Sequence, residues 1–579
     1  MSSPVRLPAG YKKGLRGTAP NPPADAAANG DACKTGGAAE AAAETDQGNS
    51  LEGNDERQAA TKSTPDDAVH MRRMGRSQEL VRHFRLVSVA SFVAVATAAW
   101  EIGLFEITPG LTGGGRPALV YSVLWNFVGF GPIYLSMAEM ASMAPIAGAQ
   151  YHWVSEFSPE SLQKILSYLT GWTSTLAWQS GNAIGVFLVA TIIQSIISIN
   201  VPDYAFPRWH ATLLVIGAVG IALSGIIFGS KVLPHWQNAV FAIYVVAYFV
   251  FIIPIWVNAP RVTSEQVWTG FEGSGGWPSL SLSVMIGQLS GIYTQLGVDA
   301  VGFHNPPNSC IERLMAAKAV HMSEEVKDAA RSVPKAMMGI YVVNFCLIFP
   351  AILTVCYHIS SVSDALADPT TYPTIHVLRQ SMSDAWVTVI LVIVVVLLNC
   401  SNITYLAAVS RDLFAFARDQ GLPFSGWISR VDERRSIPQN ACILTGIISI
   451  CLGLIYIGNP VAFYAITSLL TVALLQCYSL SIGCLLWRRI HHPETLPRAQ
   501  FPLGRFGIPT NAAAVAYASW GFFWSFWPQA YPVTAAGFNW SSVIFVSVLI
   551  VALVYYVFVA HRKYTGPVAL VEGRKVHAS

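Results

Sequence analysis

Charge is what this chain has least of. Only 12% of its 579 residues are Asp, Glu, Lys or Arg, against about 25% in an ordinary soluble domain. The two signs nearly cancel, 36 basic against 33 acidic, so the charge balance gives no footprint for a nucleic-acid partner. The nine cysteines form no CxxC pair and no Cys/His cluster, which excludes the usual zinc spacings. Cys346, Cys356, Cys400, Cys442, Cys451, Cys477 and Cys484 sit in apolar stretches, where a thiol acts as a small hydrophobe. There is no GxxxxGK[ST], no GxGxxG after a strand, no HExxH and no GxSxG. With no phosphate cradle, zincin helix or nucleophile elbow, the chain reads as a non-enzyme without cofactor or metal.

Apolar sequence fills the space that charge leaves. Hydrophobic residues make up 53% of the chain, and the mean hydropathy is +0.46. Runs free of Asp, Glu, Lys and Arg cover 165–202, 236–260, 273–298, 336–363, 385–410, 436–487 and 506–560. Each exceeds the roughly 20 residues a helix needs to cross a bilayer. The expected fold is an all-α polytopic membrane protein with twelve transmembrane helices, at about 86–108, 117–143, 165–198, 210–229, 236–258, 279–300, 336–357, 385–410, 438–457, 461–487, 511–530 and 541–560. Two long runs are divided by turn chemistry, at Gly458-Asn459-Pro460 and across Trp527 to Pro532.

The flanks of this 81–565 domain differ from it. Residues 1–80 are rich in Ala, Gly, Asp, Pro and Ser and nearly free of aromatics, a composition that cannot bury enough apolar surface to order itself. No apolar stretch follows the first Met, so a cleaved signal is not expected. Residues 566–579 read as a short second tail. Lys and Arg crowd one side of the alternating spans, at 72–85, 327–335, 411–435, 488–505 and 562–575, whereas the other side holds Arg116, Arg208, Arg261 and Arg379. Positive charge stays cytoplasmic during insertion, so both termini are expected in the cytosol.

Two spans make poor continuous helices. The first carries Thr97-Ala98-Ala99-Trp100-Glu101-Ile102-Gly103, with a carboxylate at membrane depth, and the sixth carries Gly287-Gln288-Leu289-Ser290-Gly291-Ile292-Tyr293-Thr294. Spans 1 and 6 hold the same position in two blocks of five. Interruptions at matching positions point to an inverted-repeat transporter with its site at the breaks. Free N–H groups there suit an anion and free C=O groups an ammonium. The plainer reading, glycines that let helices approach closely, stays open. Glu101 is expected to be functional because an intramembrane charge is costly. The Trp100 ring offers an ammonium a π face, or serves as a core aromatic.

Four segments then carry a family resemblance. They are 135–154 (LSMAEMASMAPIAGAQYHWV), Leu169-Thr170-Gly171-Trp172, 321–327 (HMSEEVK) and 410–423 (SRDLFAFARDQGLP). Together they resemble the amino acid–polyamine–organocation permeases, and within these the fungal amino acid/choline branch that includes GABA and choline permeases. The resemblance implies a five-plus-five inverted-repeat core with broken helices 1 and 6, repeat one at about 86–258, repeat two at about 279–487, and extra spans in 511–560. It implies alternating-access transport of a small amine or amino acid (GABA, choline or a relative) across the plasma or vacuolar membrane. Substrate would lie against Thr97, Ala98, Ala99, Trp100 and Glu101 of span 1 and Gln288, Ser290, Gly291 and Tyr293 of span 6. Trp178, Gln179 and Asn182 of span 3, and Asn399 and Asn402 of span 8, would flank it.

One departure concerns energy coupling. Some proton-coupled relatives place a lysine deep in span 5, but here Trp236–Asn258 holds none. Glu101 is therefore the candidate proton carrier, with exchange or facilitation the other options. A permease for a standard amino acid and a transport-inactive nutrient sensor of the same fold are the alternative functions.

A second departure is the stretch Val301–Lys318, which separates Gly297-Val298-Asp299-Ala300 from Ala319-Val320-His321-Met322. Its deletion would restore the branch pattern. A Val codon begins with GT and a Lys codon can end in AG, so the stretch reads as a retained intron, with a genuine loop insertion as the alternative.

Overall fold

A computed structural model describes residues 97–145, 148–229, 233–299, 329–432, 437–458, 461–564 and 566–567. The expected tail 1–80, the 301–318 stretch and nearly all of 566–579 lie outside the described residues. Within them there is no strand, only an isolated bridge between Asp432 and Ile437. Among the described residues, nine helices are long and apolar enough to cross a bilayer: Thr108–Met143, Glu160–Asn200, Arg208–Gly229, Ala239–Asn258, Ala330–His358, Asp384–Arg418, Gln439–Gly458, Phe463–His491 and Ser541–Lys563. The chain is an all-α, multi-pass integral membrane protein. The three other expected spans are built differently. Span 1 holds the short helix Ala99–Phe105, span 6 is split into Leu280–Ile286 and Leu289–Tyr293, and span 11 is Gly507–Trp524.

Two boundaries differ from those expected. Helical backbone continues past 108, and the turn between spans 1 and 2 falls at Gly114–Gly115, where Gly115 has φ 73°. That left-handed conformation suits glycine, and a Cβ on Gly115 would lie 2.7 Å from Glu272 Cγ. Arg116 follows at once, donating from Nε and Nη2 to the carbonyls of Ile359 and Ser360 (3.0 and 2.9 Å). These carbonyls lie just past the C-terminus of the Ala330–His358 helix. At the other boundary, span 11 stops at Trp524, and the stretch 525–540, with two tryptophans and two prolines, is irregular.

The segment 135–154 turns out to be an anchor. Glu139 pairs with Arg489 Nη2 at 2.5 Å and accepts the Leu503 N–H at 3.0 Å. The helix Ala149–Phe157 ends against Arg488, whose guanidinium donates to the carbonyls of Glu156, Phe157 and Ser158. The carbonyls around a helix C-terminus lack intrahelical donors, and a cation there also favours the helix dipole. Gln150 on the same helix donates to Asp299 Oδ2 at 2.5 Å, while Tyr478 of span 10 donates to Oδ1 at 2.8 Å. The far end of broken span 6 is thus tied to the short helix after span 2 and to span 10.

Candidate functional site

Span 1 is interrupted twice. At Ala98 the backbone passes through the left-handed region (φ 40°) before the helix resumes at Ala99. The second interruption, at Glu106–Ile107, has a cause in the sequence. Pro109 has no N–H to give the Phe105 carbonyl, and its ring opposes a tight helical turn there. The next rung is opened by a side chain from span 6. In a continuous helix the Gly110 N–H would bond the Glu106 carbonyl. Here Ser290 Oγ stands between them, accepting from Gly110 N at 2.9 Å and donating to Glu106 O at 2.6 Å. The ladder resumes at Leu111 N to Ile107 O (3.0 Å). Insertion of a side chain into the hydrogen-bond ladder is a recognised source of kinks. A second hydroxyl, from Thr374, caps the Leu104 carbonyl of the same helix end.

Span 6 is loosened on both sides of Ser290. Gly287 and Gln288 form a turn, and residues 294–299 continue as turns with Gly297 at φ 83°. Gln295 N and Leu296 N reach back three residues, to Ile292 O and Tyr293 O. This tighter winding is common at helix ends.

Between the two interrupted spans lies a cavity of about 60 Å³, room for a few water-sized groups. Span 1 supplies Thr97, Ala99, Ile102 and Gly103, and span 6 supplies Tyr293, Thr294, Leu296 and Gly297. Gly181 and Gly185 of span 3, Asn344 of span 7, Ser401, Asn402 and Tyr405 of span 8, and Leu470 and Leu474 of span 10 complete the wall. Among the described residues no charged side chain lines it, but one buried donor is spare. Asn402 is buried, and its Nδ2 has no hydrogen-bond partner among the described residues.

Residues 84–552 match the family model described as amino acid permease. The chain belongs to the amino acid permease family. Its family is one of transporters, not enzymes. The permease is 27% identical over 508 residues to an uncharacterized amino-acid permease of Schizosaccharomyces pombe, covering 85% of this chain and 87% of that one. It is 26% identical to the amino-acid permease BAT1 of Arabidopsis thaliana, covering 86% and 96%. With the choline transporter of Saccharomyces cerevisiae it shares 21% identity, over 86% and 84%.

Of the residues singled out from sequence, the permease brings Thr97, Ala99, Tyr293 and Asn402 to the cavity wall. Ala98 forms the first break rather than the wall. The others face elsewhere. Trp100 packs into an aromatic cluster of span 5, with ring centroids 6.0, 5.8 and 5.7 Å from Tyr244, Tyr248 and Phe251. Glu101 is buried on that side too, near Tyr244, and its Oε2 has no hydrogen-bond partner among the described residues. The Tyr244 oxygen also faces the backbone N–H groups of Ala99 and Trp100, the groups expected to be free for an anion.

Span 3 bonds sideways. Asn182 donates to Ser449 Oγ (2.8 Å) and Gln179 to Thr445 Oγ1 (3.0 Å), both on span 9. Trp178 packs behind the cavity residue Tyr405 at 5.9 Å. Asn399 donates to Val395 O within its own helix. Gln288 accepts from Asn126 of span 2 at 3.0 Å.

Ser290, Gly291 and Ile292 lie inside the helix Leu289–Tyr293, so the break in span 6 falls before them, at Gly287 and Gln288. The space beside Gly291 belongs to span 2, since a Cβ there would stand 2.5 Å from Ser122 O. Reasoning from sequence also missed wall residues on spans 7 and 8, Asn344, Ser401 and Tyr405. Asn344 is a single polar position in an apolar helix, Ser401 and Tyr405 belong to the polar run 399–405, and only the packing shows which way they point.

Ser290→Ala tests the inserted hydroxyl. It strips two buried backbone groups of their partner, each worth about 1–3 kcal/mol when left unsatisfied. The variant is expected to melt several degrees below wild type in detergent, followed by fluorescence-detected size exclusion. An unchanged melting temperature would show that these groups do not depend on Ser290.

Proposed function

We propose that the permease is a secondary transporter moving a small amine or amino acid by alternating access, with the cavity between broken spans 1 and 6 as its substrate site. The observation that carries this reading is the cavity itself. It is enclosed by the two interrupted spans, bears a spare amide donor and is otherwise uncharged, in a chain of the amino acid permease family. GABA, choline and related amines are the proposed cargo, and likeness to a choline transporter supports including quaternary amines. The proposed coupling ion is the proton. At the crossing of spans 1 and 5, where some relatives carry a lysine, this chain brings together Glu101 and Tyr244. The bias of Lys and Arg supports cytosolic termini, and the plasma or vacuolar membrane is the proposed location.

A substrate panel tests the reading. Radiolabelled GABA, choline, alanine and putrescine are offered to purified protein in liposomes with and without a pH gradient. Saturable accumulation of at least one is expected, larger when the outside is acidic. Binding without accumulation or exchange would favour a sensor instead.

A further inference from the structure

A second buried carboxyl, Glu106, stands one helical turn beyond the cavity and takes no part in the reading above. Residues three and four apart share a helix face. Ile102 and Gly103 both line the cavity, so Glu106 continues their stripe. Span 10 approaches with a matching stripe. Leu470 and Leu474 line the cavity, and Thr467, three residues before Leu470, donates from Oγ1 to Glu106 Oε1 at 3.4 Å. Tyr293 of span 6 lines the cavity and lies within electrostatic range of the Glu106 carboxyl. Tyr372, from the connection after span 7, lies within the same range. Gly103 contributes no side chain to this face, and a Cβ there would stand in ordinary contact with Ile348 and Thr294, 3.4 and 3.6 Å away.

Among the described residues, the groups that interact with the Glu106 carboxyl are Thr467 of span 10, Tyr293 of span 6 and Tyr372 of the connection, and none of them is a cation. A buried carboxylate normally has a paired charge. The Glu106 backbone carbonyl is engaged by Ser290, and among the described residues its carboxyl accepts only the long 3.4 Å contact from Thr467. On the cavity wall Asn402 holds its complement, a buried amide donor without a partner among the described residues.

We propose that Glu106 is the recognition group for the ammonium of the substrate and Asn402 the donor for an oxygen on the same molecule. The cargo is then a small amine that also carries a hydroxyl or carboxylate oxygen. This rests on the transport reading and narrows it. An amine with no acceptor oxygen, such as putrescine, uses one of the two groups and is bound less tightly.

Glu106→Gln and Glu106→Asp are compared with wild type in liposomes, with GABA, choline, alanine and putrescine as probes. Surface amount is normalised by a fluorescent tag. Glu106→Gln is expected to raise KM about ten- to a hundredfold for whichever probe the wild type accumulates best, with a smaller change in maximal rate. Glu106→Asp recovers part of that loss, and Asn402→Ala weakens GABA and choline more than putrescine. A wild-type KM in Glu106→Gln would overturn the assignment while leaving the transport reading intact.

If the wild type accumulates none of the four, the transport reading fails separately. Thermal stabilisation by the same four compounds then decides the assignment. A shift in wild type that is lost in Glu106→Gln supports it, and no shift, or an equal one, overturns it.

Discussion

Replacing Glu101 by Gln is expected to abolish the pH dependence of uptake and to lower its rate about ten- to a hundredfold, while KM stays within about twofold of wild type. The change keeps the shape of the side chain and removes its capacity to carry a proton. Glu101 is buried, its Oε2 is unpartnered among the described residues, and it lies beside Tyr244 rather than on the cavity wall. Charge at such a depth is sustained only when a counter-charge or proton accompanies it. Loss of rate without loss of recognition is the signature of a group that drives the cycle without touching the cargo. Uptake in liposomes at several external pH values, with protein quantified by tag fluorescence, measures both quantities. A Gln variant that keeps the wild-type pH profile would remove Glu101 from the coupling mechanism.

Gly291→Leu is expected to fail earlier, at folding. A Cβ at this position would meet Ser122 O and Asn126 Nδ2 at 2.5 Å and Ser122 C at 2.6 Å. Two of these three atoms are backbone in the middle of span 2, which cannot swing aside as a side-chain tip can. Overpacking a tight core costs about 1–3 kcal/mol for modest additions, and three further carbons at a helix crossing exceed that range. Small residues at such crossings are what let membrane helices approach. A second close approach, between the end of span 1 and span 6, joins Gly113 to Gly287, where a Cβ on Gly113 would lie 2.8 Å from Gly287 Cα. The expected result is loss of the monodisperse peak in fluorescence-detected size exclusion, with Gly291→Ala intermediate. Abundant, well-folded Gly291→Leu protein lacking uptake would instead return Gly291 to the substrate side.

The sequence displayed the membrane class, the long helices and the two interrupted spans, because each leaves a signal within one stretch of chain. Uncharged runs, a glycine and polar cluster at 287–294 and a carboxylate at 101 can be read without knowing what lies across from them. The second break in span 1 had its own local signal in Pro109, which went unread beside the more conspicuous Glu101. What stayed hidden depends on direction. Trp100, Glu101, Asn182 and Gln288 are polar or aromatic groups in apolar surroundings, as are Asn344 and Asn402. Yet the first four turn to spans 5, 9 and 2, and the last two to the cavity. Apolar sequence on every face of these helices gives no stripe from which to assign orientation. The motif 135–154 was legible as a resemblance, but its physical work, Glu139 on Arg489 and Gln150 on Asp299, needed the third dimension.

The Ser290 hydroxyl has a mechanical consequence. Pro109 keeps the first span from closing its own gap, so the Gly110 N–H and Glu106 carbonyl have Ser290 as their shared partner. Pulling the sixth span away would strand both groups in an apolar setting. At this level spans 1 and 6 are therefore pinned like two blades on one rivet and must travel as one piece. Bending is left to the ends of that piece, at Ala98 on one strand of the chain and at 294–299 on the other, where backbone bonds are already strained or short-ranged. Both pivots lie on the same side of the rivet as Asp299, so a stroke that opens one end of the cavity works against the Gln150 and Tyr478 tethers first.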